Sequence, residues 1–135
     1  MNGNSLIAMA HGVADVLQDL SPEVLLAPEY DLSELATQRC VIVPVSRIEK
    51  RLSRNAKTVS VQHTIEVGLM FRAKNLDTDA LVRKSEEISA LLLNSKVRGI
   101  SCINAEPNPL YDAEQIRERN QFTSVISVVY RELVS

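Results

Sequence analysis

The stretch VSVQHTIEVGLMFRA, Val59 to Ala73, decides the fold. Val59, Val61, Ile65, Val67, Leu69 and Phe71 occupy alternate positions, with His63 the one exception. Ser60, Gln62, Thr64, Glu66 and Arg72 fill most of the opposite set. Successive side chains of a strand point to opposite faces, so this pattern predicts a strand with one buried and one wet face. Its length matters as much. At about 3.3 Å per residue the stretch would reach roughly 50 Å, whereas a compact domain of this size should be only about 37 Å across. The strand must therefore bend sharply or project beyond its own globule. A projecting, two-faced strand points to a subunit that is completed by assembly.

The rest of the composition is that of an ordinary globular chain. Its 135 residues predict a single domain, 1–135, and a hydrophobic share of 45% suffices for a core without metals or staples. Aromatic residues make up 4% and there is no Trp, which argues against a base-stacking surface. The net charge of −2 disfavours sequence-independent nucleic-acid binding, which needs a basic surface. Cys40 and Cys102 lie far apart, in no metal-ligand spacing, and read as reduced, buried thiols. Residues 1–20 carry an apolar stripe but neither a basic leader nor a continuous apolar core, so no signal peptide and no membrane span are expected.

Working outward, Asn4 or Ser5 can cap a first helix running to about Leu20, with Leu6, Met9, Val13, Val16 or Leu17, and Leu20 on one face. Gly12 in mid-helix costs up to about 1 kcal/mol relative to Ala, so it either admits a close neighbour or is simply tolerated. Glu23 to Tyr30 reads as a short strand closed by Pro28, and Asp31-Leu32-Ser33-Glu34 as a capping box opening a helical turn or two. Arg39 to Val45 is apolar on both faces, like an interior strand, with Pro44 marking its end or an edge. Residues 47–57, RIEKRLSRNAK, form the most basic stretch and read as a long connection, a kind of segment that tends to be functional or mobile. Beyond the long strand, Asn75 or Asp77 caps a second helix to about Asn94, with Leu81, Ser85, Ile88, Leu92 and the neighbouring Leu91 inward. Gly99 breaks the chain before a strand from Ile100 to Ala105, closed by Pro107 and Pro109. Asp112 caps a charged helical segment over 113–120, and Phe122 to Leu133 is the closing strand. The expected class is α+β: a mainly antiparallel sheet of about four to five strands, two main helices on one face, and a long projecting β-hairpin or loop.

The sequence offers little chemistry. His11 and His63 are its two histidines, each without a partner in sequence, and both read as structural. No HExxH, GxSxG or P-loop occurs, and Gly3, Gly12, Gly68 and Gly99 are too scattered to cradle a phosphate. No catalytic, cofactor-binding or metal-binding residue is assigned, and an enzyme is not expected. The charged feature that could carry function is the set Arg47, Lys50, Arg51, Arg54 and Lys57, opposed in its own stretch by Glu49. It is either a solvated loop or a partner-docking loop that orders on assembly.

Taken in order, these segments resemble the tail terminator (tail completion) proteins of long-tailed bacteriophages and prophages. The resemblance covers most of the chain. It rests on the opening helix, the Asp31-Leu32-Ser33-Glu34-Leu35 turn, the strand ending Val43-Pro44, and the basic stretch with Ser53-Arg54. It continues through the long strand and the 77–94 helix. It ends with Pro109-Leu110-Tyr111-Asp112, Phe122-Thr123-Ser124-Val125-Ile126 and Val129-Tyr130-Arg131. The resemblance implies a structural virion protein, assembled in the bacterial host cytoplasm, that forms a hexameric ring on the tail tube. Such a ring ends tube polymerisation and offers a surface for head–tail joining. The implied partners are further copies of itself, the tail tube protein and the head connector or head-closure protein. DNA passes through the ring without specific binding, and no membrane is involved. Other readings remain: another head-closure or tube subunit, a small ligand-binding or regulatory α+β module, or an enzyme subunit with its site between chains.

Overall fold

The computed structural model describes residues 3–33, 36–54, 57–72, 78–110 and 121–135. Its elements are α1 (Leu6–Val16), a 3-10 turn (Gln18–Leu20), β1 (Glu23–Val24), β2 (Gln38–Arg51), β3 (Val59–Arg72), α2 (Thr78–Leu93), β4 (Lys96–Val97), β5 (Ile100–Leu110) and β6 (Gln121–Val134). The six strands form one sheet in the order β1-β2-β3-β6-β5-β4. β1 runs parallel to β2 and the other neighbours are antiparallel. The sheet is mainly antiparallel, as expected, with one parallel pair, and has six strands where about four to five were expected. The strand not foreseen is β4, two residues long and too short to leave a period in the sequence, whereas β1 falls within the expected Glu23 to Tyr30 strand.

β3 is the spine. Its register runs unbroken against β6 from Val59↔Val134 to Arg72↔Gln121. Both helices lie over the face that carries Ile65, Val67, Leu69 and Phe71, as the alternation predicts. One core cluster joins Met9, Ala10 and Val13 of α1 with Leu81, Ile88 and Leu92 of α2 and with Ile42, Ile65, Ile126 and Val128 of the sheet. Fully burying one such aliphatic side chain contributes about 1.5–3 kcal/mol. Ser5 is the cap of α1, its Oγ accepting from the Ala8 amide at 3.1 Å. Gly12 is a close-approach glycine, since a Cβ there would overlap Val97 of β4. On α2 the inward set is Leu81, Ser85, Ile88, Ser89 and Leu92, whereas Leu91 is 53% exposed, one residue out of phase with the stripe. The expected cap at Asn75 or Asp77 and the helical segment over 113–120 lie outside the described residues.

Several expected boundaries move. Glu23 to Tyr30 is strand for two residues; residues 25–33 then cross the helix-free face as coil. Of the expected helical turn at Asp31, residues 34–35 fall outside the described set, and 31–33 are coil. β5 continues through Pro107 and Pro109 to Leu110, because among the described residues its far side has no partner beyond the two-residue β4 and so needs no donor there. Arg98-Gly99 forms the two-residue turn of the β4–β5 hairpin, both residues with positive φ (53° and 79°).

The basic stretch is not a connection as far as Arg51. It is the second half of β2, paired from Ser46↔Thr64 to Arg51↔Val59. Nor does the hairpin stand alone, because β6 runs beside it to Val134. The projecting part is a three-stranded ribbon. Ser60 and Val61 are buried within it.

Candidate functional site

The two faces of the sheet are finished differently along its length. At the β2 start, Leu25, Tyr30 and Leu32 close the helix-free face over Val41, Val43 and Met70. Gly68 leaves room for the Tyr30 ring, which a Cβ would strike. Buried Gln121 fastens this cover: its Oε1 accepts from the Leu32 amide at 3.1 Å and its Nε2 donates to the Tyr30 carbonyl at 2.8 Å. Arg72 donates to the carbonyls of Ser33 (2.6 Å) and Ala36 (3.1 Å), and Arg39 to that of Asp31 (2.9 Å). The Tyr30 hydroxyl donates to Glu66, and burial together with that carboxylate raises its pKa above the ordinary value. The cover reaches no further than Glu66.

Farther along, a bulge at Val45 sets the chemistry. Before it, Cys40, Ile42 and Pro44 pair with Leu69, Val67 and Ile65 on the helix side. After it the parity inverts, so Arg47 and Glu49 follow on the helix side while Ile48 and Lys50 turn to the helix-free side. Ile48 (56% exposed), Leu52 (51%) and Leu133 (61%) therefore stand in water at the ribbon tip. Ile48, Leu52, Lys50, Arg51, Ser60, Gln62 and Arg131 line an open groove of about 400 Å³. Arg131 is held there by a 3.0 Å bond from its Nε to the Ser60 hydroxyl.

The five basic residues singled out in the sequence are thus divided. Lys50 and Arg51 share the groove. Arg54 and Lys57 are exposed in the turn beyond it, on either side of residues 55–56, which are outside the described set. Arg47 belongs elsewhere: its Nε donates to the Asn4 carbonyl at 3.0 Å and its Nη1 to Glu49 at 2.5 Å. It braces the helix-side root of the ribbon. Arg131 and the three apolar side chains escaped the sequence reading. The alternation of β6 puts Arg131 and Leu133 on one face, but only the register brings that face beside Lys50.

The root of the ribbon is a buried polar knot. His63 is fully buried, with Nε2 3.1 Å from Glu132 Oε1, and its Nδ1 has no hydrogen-bond partner among the described residues. Glu132 also accepts from the Asn4 amide at 2.9 Å and from Asn4 Nδ2 at 3.1 Å. Arg98 Nε closes the knot on Asn4 Oδ1 at 2.6 Å. Burial by itself would raise the Glu132 carboxyl, but the Asn4 and His63 hydrogen bonds stabilise its charged form, and the net shift is downward. The knot ties the start of α1 to β3 and β6.

The thiols are equally quiet. Burial, with Glu23 adding to it, pushes Cys40 up to about 12, and burial raises Cys102 as well, so neither presents a thiolate at neutral pH. No group of three His, Cys, Asp or Glu among the described residues could hold a metal ion. Another open groove, of about 400 Å³, lies between α1 and the β4–β5 hairpin, with His11, Asp15 and Lys96 on its walls. No described helix is long and apolar enough to cross a membrane.

No family model and no curated protein matches the chain. Solved structures do. One is 12% identical over 96% of each chain, with a TM-score of 0.53, and shows a shared fold. A chain of the virion of a native gene transfer agent particle is 10% identical over 93% of this chain and 92% of its own, with a TM-score of 0.48. A sheath/tube terminator of an extracellular contractile injection system, in its extended state, is 12% identical over 98% of this chain, with a TM-score of 0.48. The present chain spans 58% of that terminator's length.

Proposed function

We propose that this chain is a structural, non-enzymatic subunit that self-associates into a ring and acts as a phage or prophage tail terminator, capping the tail tube and presenting a surface for head–tail joining. The observation that carries the proposal is the ribbon tip. Three large aliphatic side chains project there, framed by cations, and none of the described elements of the chain covers them. Exposed apolar clusters rimmed by polar residues mark protein–protein surfaces. The sequence resemblance to tail terminators supplies the identity of the assembly, with the tube protein and the head connector as its partners. The place of action is then the virion. DNA passes through the ring without specific contact, in keeping with the net charge of −2.

The arrangement of polar groups supports a scaffold over a catalyst. The buried polar clusters described above, the His63–Glu132 knot and the Gln121 clamp, tie one segment of the chain to another. A ligand-binding module would call for an enclosed apolar cavity, and the grooves described above are open and lined with charged side chains.

Sedimentation velocity over a concentration series, with and without isolated tail tubes, tests the proposal. The expected result is a monomer or weak oligomer when dilute and closed rings, visible by electron microscopy, at high concentration or on tube ends. A tight dimer at every concentration would overturn the ring, and rings that ignore tube ends would overturn the terminator role.

A further inference from the structure

The ribbon tip has a counterpart at the other end of β2. Leu26 in the covering segment is 79% exposed, higher than any other large hydrophobic side chain among the described residues. It is flanked by Glu23, Glu29 and Asp31. Arg39 pairs with two of these carboxylates, at 2.7 Å to Glu23 and 3.4 Å to Glu29, and the three carboxylates of the loop outnumber it. The tip has the opposite character. Lys50, Arg51, Arg54, Lys57 and Arg131 outnumber Glu49, and Glu49 is bonded to Arg47. Each patch thus exposes aliphatic surface, and their charges are opposite in sign.

The two patches of one chain do not meet. The loop is fastened over Val41 and Val43 by Gln121, Arg72 and Arg39. From Val43 to Lys50 the strand advances roughly 20 Å. An acidic apolar loop and a basic apolar groove on one face, held apart by the same strand, can therefore pair only between molecules.

Resting on the ring-forming reading above, we infer that the acidic loop Glu23–Asp31 of one copy docks on the basic tip groove of the next, with Leu26 set among Ile48, Leu52 and Leu133. The contact joins two different patches, so it is heterologous. Such contacts form rings when the rotation between copies closes and open chains when it does not. The carboxylates facing Lys50, Arg51 and Arg131 set the register and disfavour a tip-to-tip pairing, which would bring like charges together. Nucleic acid fits this groove less well. Phosphates would meet the cations but leave three aliphatic side chains uncovered, and no aromatic ring lines the groove for a base to stack on.

Charge reversal with mutual rescue tests the pairing. One variant carries Lys50→Glu and Arg51→Glu; the other carries Glu29→Lys and Asp31→Lys. At a concentration where the unchanged chain associates, each variant alone should associate roughly tenfold or more weakly, because its like charges now face each other. An equimolar mixture should recover association, since each acidic tip then meets a basic loop and each basic tip an acidic one. Leu26→Ser, a change at a solvent-facing position that cannot unfold the chain, should weaken association without altering charge. If the unchanged chain forms rings and the variants form them equally well, or the mixture stays dissociated, the pairing is wrong while the ring stands. If the unchanged chain never associates, alone or on tubes, both fall. Loss of duplex-DNA retention by the Lys50→Glu, Arg51→Glu variant with association intact would assign the tip to nucleic acid and overturn the inference.

Discussion

The two ends of the long hairpin are built from the same strands and finished in opposite ways. At the β2 start both faces of the sheet are closed, one by the helices and the other by Leu25, Tyr30 and Leu32. Toward the other end the helix side is tied down at the ribbon root by the Asn4–Glu132–His63 knot, while the opposite face at the tip offers Ile48, Leu52 and Leu133 to water. On the proposed function, stability and association fall to different stretches of one strand pair. Residues at the closed end should control folding with little effect on assembly, and residues at the open end the reverse.

The largest effect tests the closed end. Met70 is fully buried under the 25–32 segment, and Met70→Ala should cost about 2–5 kcal/mol, a large part of a small domain's stability. Urea unfolding gives the value; a loss below about 1 kcal/mol would mean that the covering segment is not part of the folded core.

An intermediate effect is expected at the knot. Glu132→Gln replaces a charged acceptor of three hydrogen bonds and should cost about 1–3 kcal/mol at neutral pH. The sign with pH follows from the lowered carboxyl. A group whose pKa is lower folded than unfolded stabilises fully above its ordinary value, 4.5, and loses that contribution as pH falls through the lowered one. The gap between the unchanged chain and Glu132→Gln should therefore narrow in unfolding measured below pH 4.5. A gap independent of pH would show that shape, not charge, is what Glu132 supplies.

The smallest effect on stability belongs to the open end. Changing Lys50, Arg51, Arg54 and Lys57 together to Ser should shift unfolding by no more than about 1 kcal/mol in sum, because exposed charges contribute little. Ring formation should nevertheless fail. Arg47 is left out because it braces Asn4. A sharp drop in thermal stability with rings intact would erase the division between the two ends.

Much of the closed end is legible in the sequence. The alternation over 59–72 specifies which face of β3 meets the helices, and the stripe Leu81, Ser85, Ile88, Leu92 specifies which face of α2 does. The open end is not legible, for two physical reasons. Residues 47–51 have the charged composition of a loop, yet an adjacent strand of 14 residues supplies enough backbone pairing to hold them extended. And the single unpaired residue Val45 reverses which side chains face inward, so that Arg47 is separated from Lys50 and Ile48 is left outside. A one-residue slip of this kind leaves no trace in composition or period. Pro107 and Pro109 mislead for a related reason. Proline ends a strand only where its missing donor was needed, and which edge is unpaired is settled by the tertiary arrangement.

The unpaired edges have a consequence for how the chain endures before use. A flat, uninterrupted edge can template any extended peptide, another copy's included, and growth of that kind has no built-in stop. Here the β2 edge carries Pro44 and the Val45 bulge, and the β5 edge carries a bulge at Ile103 followed by Pro107 and Pro109. Each edge is missing a donor at its prolines and is kinked at its bulge. Such edges disfavour fibril-like strand addition, and in the proposed ring they would leave association to side-chain surfaces, whose shape sets where it stops.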